Sequence, residues 1–331
     1  MITLKEISQI AGVSISTVSK ALNGAHDIGD ESRKRIQEIA ASHGYIAPKG
    51  RKRREANEQP ILAIIYPDMT SSYFTHLLDC FDKQLRAKNG TLVMGCSRFD
   101  MDIERKLLEY FMESDDVDGI VCITPFNQID SMPKRGTPVV VISQTNLEFS
   151  SVDTIKVNDR QGIFQTIERL KFLGHKKIGY IGEKNTYSRL NYFKEAMKYH
   201  GCEIDESLIK VSPHRFEYAG YECMNQLISE NNLPTALFAS YDDIAVGIAR
   251  ALYEKNIRIP EDISLVGIDN TASSLYLKDR LSSIGCHIEE QVQIALNTLF
   301  NKINNPQFTV VQNITIQTEL IARDTLAPPK E

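Results

Sequence analysis

The chain has 331 residues, 42% of them apolar, and a formal charge of −5. That length suits two or three domains, and that apolar share excludes wholesale disorder. No window approaches about 18 uncharged apolar residues, so no membrane-spanning helix is expected, and the opening MITLKEISQI, with Lys5 and Glu6 inside it, does not read as a signal peptide.

The charge is unevenly spread. Residues 1–57 hold ten Lys/Arg against six Asp/Glu, a net +4, which leaves −9 for the rest. A basic end on an acidic body points to a polyanion partner for that end alone. The six cysteines, at 80, 96, 122, 202, 223 and 286, include no CxxC pair and mostly sit in apolar runs. They read as buried free thiols of a reducing, cytoplasmic protein. The spacings argue against a zinc site, and no metal or cofactor is expected.

In chain order, residues 1–46 read as three short helices. Leu4, Ile7 and Ala11 recur at helical spacing behind Thr3, and Gly12 ends the run. Ser14 can cap a second helix with Val18, Ala21 and Leu22 inward. A third runs from about Asp30 to His43, with Ile36, Ile39 and Ala40 inward. Small Ala11 and Gly12 allow a sharp turn between the first two, the geometry of a helix-turn-helix. The second helix would then present Ile15, Ser16, Ser19 and Lys20 outward, short enough to lie deep in a major groove. An ordinary helical hairpin has the same spacing; the exposed Ser/Thr face and the basic stretch after it favour DNA.

Residues 47–60, APKGRKRREANEQP, are polar, basic and bounded by Pro48 and Pro60, and read as a hinge or linker. From 61 onward, strand-like runs at 61–66, 91–95, 119–124, 139–143, 155–158, 177–182, 236–240 and 263–268 alternate with helical stretches. These stretches are 73–89, 102–114, 159–174, 188–200, 217–231, 242–256 and 288–304. Such alternation predicts doubly wound, parallel α/β sheets, and the length suits two lobes. We expect lobe 1 over about 61–157 and 286–313, and lobe 2 over about 158–285 and 314–325.

The run from Thr3 to Asn23, TLKEISQIAGVSISTVSKALN, resembles the N-terminal signature of the LacI/GalR family of bacterial repressors. The resemblance resumes at Asn158-Asp159, at 174–182, at Arg189, at Asp242-Asp243, in the run IPEDISLVGID (259–269) and at Leu320-Ile321-Ala322-Arg323. It thus spans nearly the whole chain. It implies a three-helix reading head and a two-lobed, periplasmic-binding-protein-like sensor. Ile15, Ser16 and Lys20 would read bases, while Thr3, Ser14, Thr17, Ser19 and Asn23 would serve as caps or phosphate contacts. Thr17 and Ser19 read equally as helix surface. The family usually has Arg where Lys20 stands, and Lys offers a point charge in place of a two-pronged guanine contact. The family's hinge helix with its leucine is missing; Arg51, Arg53 and Arg54 would touch phosphates or a narrow minor groove instead, or form a solvated linker.

For the sensor, the resemblance implies an effector site built from Asp68, Ser72, Tyr73, Phe74, Asn158, Asp159, Arg189, Phe216, Asp242 and Asp269. These lie at or after strand ends, where facing lobes bind small molecules. Carboxylates, amides and an Arg suit sugar hydroxyls, and aromatic faces suit the ring. Asp242 also reads as a helix cap, and Arg189 as a solvated side chain. The pair Asp242-Asp243 stands where the family commonly has Asn-Asp, and Arg215 stands near a common aromatic position. The expected function is operator-specific repression by a homodimer, relieved by a sugar inducer. The alternatives are a corepressor-dependent repressor taking a nucleobase or sugar phosphate, or a non-regulatory sugar-binding protein. No GxGxxG after a strand, P-loop, GxSxG or HExxH is present, so no catalytic residue is expected.

Overall fold

The computed structural model describes residues 4–22, 28–43, 59–125, 129–131, 136–144 and 149–330. The chain divides into two compact units, 1–58 and 59–331.

The first unit contains α1 (Leu4–Ala11), α2 (Ile15–Leu22) and α3 (Asp30–Ser42). Their apolar faces meet in one small core of Ile7, Ala11, Val18, Ala21, Ile36 and Ala40. Gly12 takes φ +67° in the turn after α1, a left-handed conformation that glycine adopts without steric penalty. Ser14 caps α2: its Oγ accepts from the Thr17 backbone N at 3.1 Å. Arg33 donates to the Ile28 carbonyl at 2.9 Å and to Asp30 at 3.0 Å, fixing the approach to α3.

The second unit is two six-stranded sheets with helices on their faces. In chain order its elements begin with β1 (Ile61–Tyr66), α4 (Ser72–Arg86), β2 (Thr91–Cys96), α5 (Met101–Glu113), β3 (Gly119–Ile123), β4 (Val139–Ser143) and β5 (Asp153–Asn158). The chain then crosses to the second lobe with α6 (Asp159–Phe172), β6 (Ile178–Glu183), α7 (Tyr187–Tyr199), β7 (Ile209–Ser212), α8 (Phe216–Ser229), β8 (Ala236–Ala239), α9 (Asp242–Glu254), β9 (Ser264–Asp269) and β10 (Ser282–Gly285). It returns for α10 (Ile288–Asn304) and β11 (Asn313–Gln317), and crosses a last time to β12 (Glu319–Ile321).

The first sheet runs β11-β5-β4-β3-β1-β2, all parallel; the second runs β12-β10-β9-β8-β6-β7, parallel except for β12 against β10. Central strands such as Gly119–Ile123 and Ser264–Asp269 are buried along their whole length, as sheets covered on both faces require. The third crossing falls at Thr318. The sequence reading places it at 313/314, but β11 pairs with β5 from Asn313↔Thr154 to Gln317↔Asn158 before the chain leaves. The alternating polar pattern NITIQ, exposed on one face, carries little signal for a parallel edge strand.

Thr318 ties the crossings together. Its Oγ1 donates to the Asn158 carbonyl at 2.8 Å and accepts from the Gly162 N at 3.0 Å. A side chain at Gly162 would meet Ile284 Cγ2 at 2.3 Å, so α6 reaches β10 only because that residue is glycine.

Candidate functional site

Two regions carry the residues singled out in the sequence. On α2, Val18 and Ala21 turn inward to the three-helix core, which forces the intervening residues outward. Ile15, Ser16 and Lys20 are exposed, Ile15 by 47%; Thr17 and Ser19 are half-buried. Ser14 Oγ lies 2.7 Å from Ser16 Oγ and 2.8 Å from Thr17 Oγ1, a hydroxyl cluster at the start of the helix. Thr3, Asn23, Arg51, Arg53 and Arg54 lie outside the described residues.

The second region is the cleft between the two sheets, into which the C-terminal ends of the parallel strands open. It encloses about 600 Å³ of space, part of it open to solvent. Its wall includes Tyr73, Phe74, Arg189 and Asp269 from the expected set. It also includes Arg215, noted in the sequence only as standing near a common aromatic position, and Phe99, Thr124, Gln144, Glu183 and Tyr241, which the sequence reading did not place there. Thr124, Gln144 and Glu183 stand at or just beyond the ends of β3, β4 and β6, so the rule that ligands bind at strand ends, applied to every strand, would have found them.

Arg189 is 6% exposed, an organising buried group and not a solvated one. Its Nε donates to Asp159 Oδ2 at 2.7 Å, Nη1 to the Ser240 carbonyl at 2.6 Å, and Nη2 to Asp269 Oδ1 at 3.0 Å. Asp159 thus sits behind Arg189, and Asp269 shares it at the cleft floor. Burial pushes Asp269 up to about 6 despite the guanidinium. Its backbone takes φ +97°, a conformation that non-glycine residues hold only where surrounding contacts impose it.

Asp242 is buried behind this floor. It accepts from Thr271 N at 2.7 Å, Thr271 Oγ1 at 3.1 Å and Ser283 Oγ at 2.6 Å. Burial, with Asp269 nearby, pushes it up to about 8. Asn158 also stands off the wall: its Nδ2 donates to Gln317 Oε1 at 2.7 Å, which places it in the crossing strands.

Three of the remaining expected residues close the cleft. Ser72, at the start of α4, donates its Oγ to Asp243 Oδ1 of α9 at 2.6 Å, and its backbone N to Oδ2 at 3.2 Å. Asp68 pairs with Arg215 Nη1 at 2.5 Å while accepting from Thr70 and Ser71. Burial raises the Asp68 carboxyl, but the Thr70 hydrogen bonds and the Arg215 charge outweigh that and hold it below its usual value. The Arg215 guanidinium lies between the Phe99 and Phe216 rings, 4.6 and 4.4 Å from their centroids, and 3.5 Å from Glu183 Oε1. Each lobe therefore grips the other through a carboxylate.

Among the described residues, four atoms on this wall, Thr124 Oγ1, Gln144 Nε2, Glu183 Oε1 and Arg215 Nε, are buried without a hydrogen-bond partner. Four such atoms around one aromatic-walled cleft are unusual, because buried polar groups normally find partners. They offer two donors, an acceptor and a hydroxyl that serves as either.

Residues 3–47 match the family described as bacterial regulatory proteins, lacI family, and residues 167–326 match the periplasmic binding protein-like domain. The probable HTH-type transcriptional repressor ExuR of Bacillus subtilis (strain 168) is 26% identical over 98% of both chains. The HTH-type transcriptional repressor PurR of Klebsiella pneumoniae is 28% identical over 99% of this chain and 97% of its own. A LacI family transcriptional regulator from Enterococcus faecium, solved with bound ribose, superposes with a TM-score of 0.70. It is 25% identical over 82% of this chain and all of its own.

Proposed function

Since the chain belongs to the lacI family of bacterial regulatory proteins, we propose that it is a transcriptional repressor whose hold on a palindromic operator is released by a neutral sugar bound in the cleft. The observation that carries the sugar reading is the set of buried atoms without a hydrogen-bond partner, Thr124 Oγ1, Gln144 Nε2, and the Glu183 Oε1 and Arg215 Nε that face each other at 3.5 Å, beside Tyr73, Phe74, Phe99 and Tyr241. A polyol would satisfy those atoms through its hydroxyls while its ring lies on the aromatic faces. Arg215 is already offset by Asp68 and Glu183, and Arg189 by Asp159 and Asp269, which favours an uncharged ligand over a sugar phosphate.

Ile15, Ser16 and Lys20 read base edges, with Ser14, Thr17 and Ser19 toward the phosphates. Arg51, Arg53 and Arg54, outside the described residues, add positive charge for phosphates. The protein works in the cytoplasm as a homodimer, one α2 per half-site. Strand β2 supports the pairing: it is a sheet edge whose Val93 and Met94 are exposed. No turnover of the sugar is expected, because the cleft carboxylates are committed to Arg189 and Arg215.

Selection from a randomised duplex pool, with and without a panel of sugars, tests this reading. A palindromic motif whose enrichment vanishes with one sugar is the expected result. Enrichment that requires the ligand would turn the protein into a corepressor-dependent one. The absence of any motif would remove the DNA-reading role.

A further inference from the structure

We propose that His76, Cys80 and Glu289 form a binding site for a zinc-class transition metal that staples α4 to α10. His76 and Cys80 are four residues apart on α4 and therefore share one face of the helix. Glu289 comes from the first turn of α10, which packs against that face. One donor atom from each of the three lies within 4.8 Å of the other two.

The His76 Nε2 to Glu289 Oε1 distance is 3.3 Å. That is long for an N–H···O hydrogen bond. It matches the edge of a metal tetrahedron: two light donors each about 2.1 Å from an ion lie roughly 3.4 Å apart.

The donor types narrow the ion. A thiolate, an imidazole and a carboxylate suit zinc or cobalt(II), whereas magnesium and calcium prefer all-oxygen shells. Cys80 is buried at the base of the site, while the His76 and Glu289 side chains are 36% and 63% exposed and leave an approach from solvent. Three protein ligands leave a fourth position for an exchangeable ligand.

The location gives the site leverage. The same helix pair is joined by Gln84 Nε2 donating to the Glu289 carbonyl at 3.2 Å, and by Tyr73 OH donating to Gln291 Oε1 at 2.9 Å. The first turn of α4 carries Ser72, Tyr73 and Phe74 to the cleft, and α10 begins directly after a lobe crossing. A metal here would stiffen the cleft wall and the crossing together.

The test uses the full chain, stripped with a chelator and titrated with cobalt(II), then with zinc as competitor. One cobalt per chain is expected, with tetrahedral ligand-field bands and thiolate-to-cobalt charge-transfer absorption. Cys80→Ser should abolish the charge-transfer band, and His76→Gln and Glu289→Gln should each weaken binding at least tenfold. Cys96→Ser and Cys202→Ser should leave both unchanged. His76→Gln alters a partly exposed side chain and stays informative even where Cys80→Ser fails to fold. No band in the wild-type chain, or a band that His76→Gln leaves at full affinity, overturns the proposal. The readout involves neither operator nor sugar, so it stands or falls apart from the repressor reading.

Discussion

Lys20 and Asp242 show how much a single side chain decides. Lys20 stands exposed on α2, on the face we propose reads the operator. Lys20→Ala should cost about 1–3 kcal/mol at the operator and relax preference at one base position. Equal weakening on all duplexes in a competition assay would make it a phosphate contact. Asp242 and Asp269, pushed up to about 8 and about 6, make folding pH-dependent. Each is more readily protonated in the folded chain than in the unfolded one, so its contribution is complete below about pH 4. That contribution is lost as pH rises through the folded value, with a slope of up to about 1.4 kcal/mol per pH unit per group. Asp242→Asn keeps the shape, can accept from Thr271 and can donate to Ser283. Denaturant titrations should therefore show a flatter pH dependence between about pH 6 and 8 in this variant. An unchanged slope would mean that Asp242 is ionised throughout that window. The sequence marked Arg189, Asp269 and the Tyr73-Phe74 pair through their joint match to the family resemblance; Asp269 also follows a strand, whereas Arg189, on a helix, read by itself as a solvated side chain. It did not reveal that Asn158 faces the crossing strands or that Arg215 lies between two rings, because those depend on which lobe comes opposite.

Between elements, the α8–α9 contact sets the tightest constraint. A Cβ on Gly247 would lie 1.8 Å from the Glu217 carbonyl oxygen, and one on Gly220 would lie 2.0 Å from that of Ile244. The two helices touch backbone to backbone, and the atoms in the way cannot rotate aside. Gly247→Ala should therefore cost at least the ~1–3 kcal/mol typical of overpacking, read as a lowered unfolding midpoint. Stability equal to wild type would mean that the helices can slide apart freely. Elements with strong periodicity were legible: β1 and β4 fall at 61–66 and 139–143 as their apolar runs predict, and α10 spans 288–304. Strands β7, β10, β11 and β12 were not. Ser282–Gly285, SSIG, has one large apolar residue, and Glu319–Ile321 is three residues long, so their strand state comes from neighbours and not from pattern.

At the scale of the two lobes, closure rests on Ser72–Asp243 and Arg215–Asp68, both carried by charged groups. Replacing both donors, Ser72→Ala with Arg215→Ala, should remove about 1.5 kcal/mol or more of closing energy, a shift of more than tenfold toward the open form. Small-angle scattering of the ligand-free chain should then show a larger radius than wild type. An identical radius would mean that the crossing strands alone hold the lobes. Those strands have a further consequence for how the molecule is made. The first sheet lacks β11 and the second lacks β12 until residues beyond 313 and 319 are available. During synthesis the three-helix head has all its core residues early, while both halves of the sensor must wait, unfinished, for the same short stretch of chain. A ribosome that stalls before residue 313 would leave a nascent chain with a finished reading head and two open sheet edges, competent to find DNA before it can answer to any ligand, and exposed to mispairing for as long as the pause lasts.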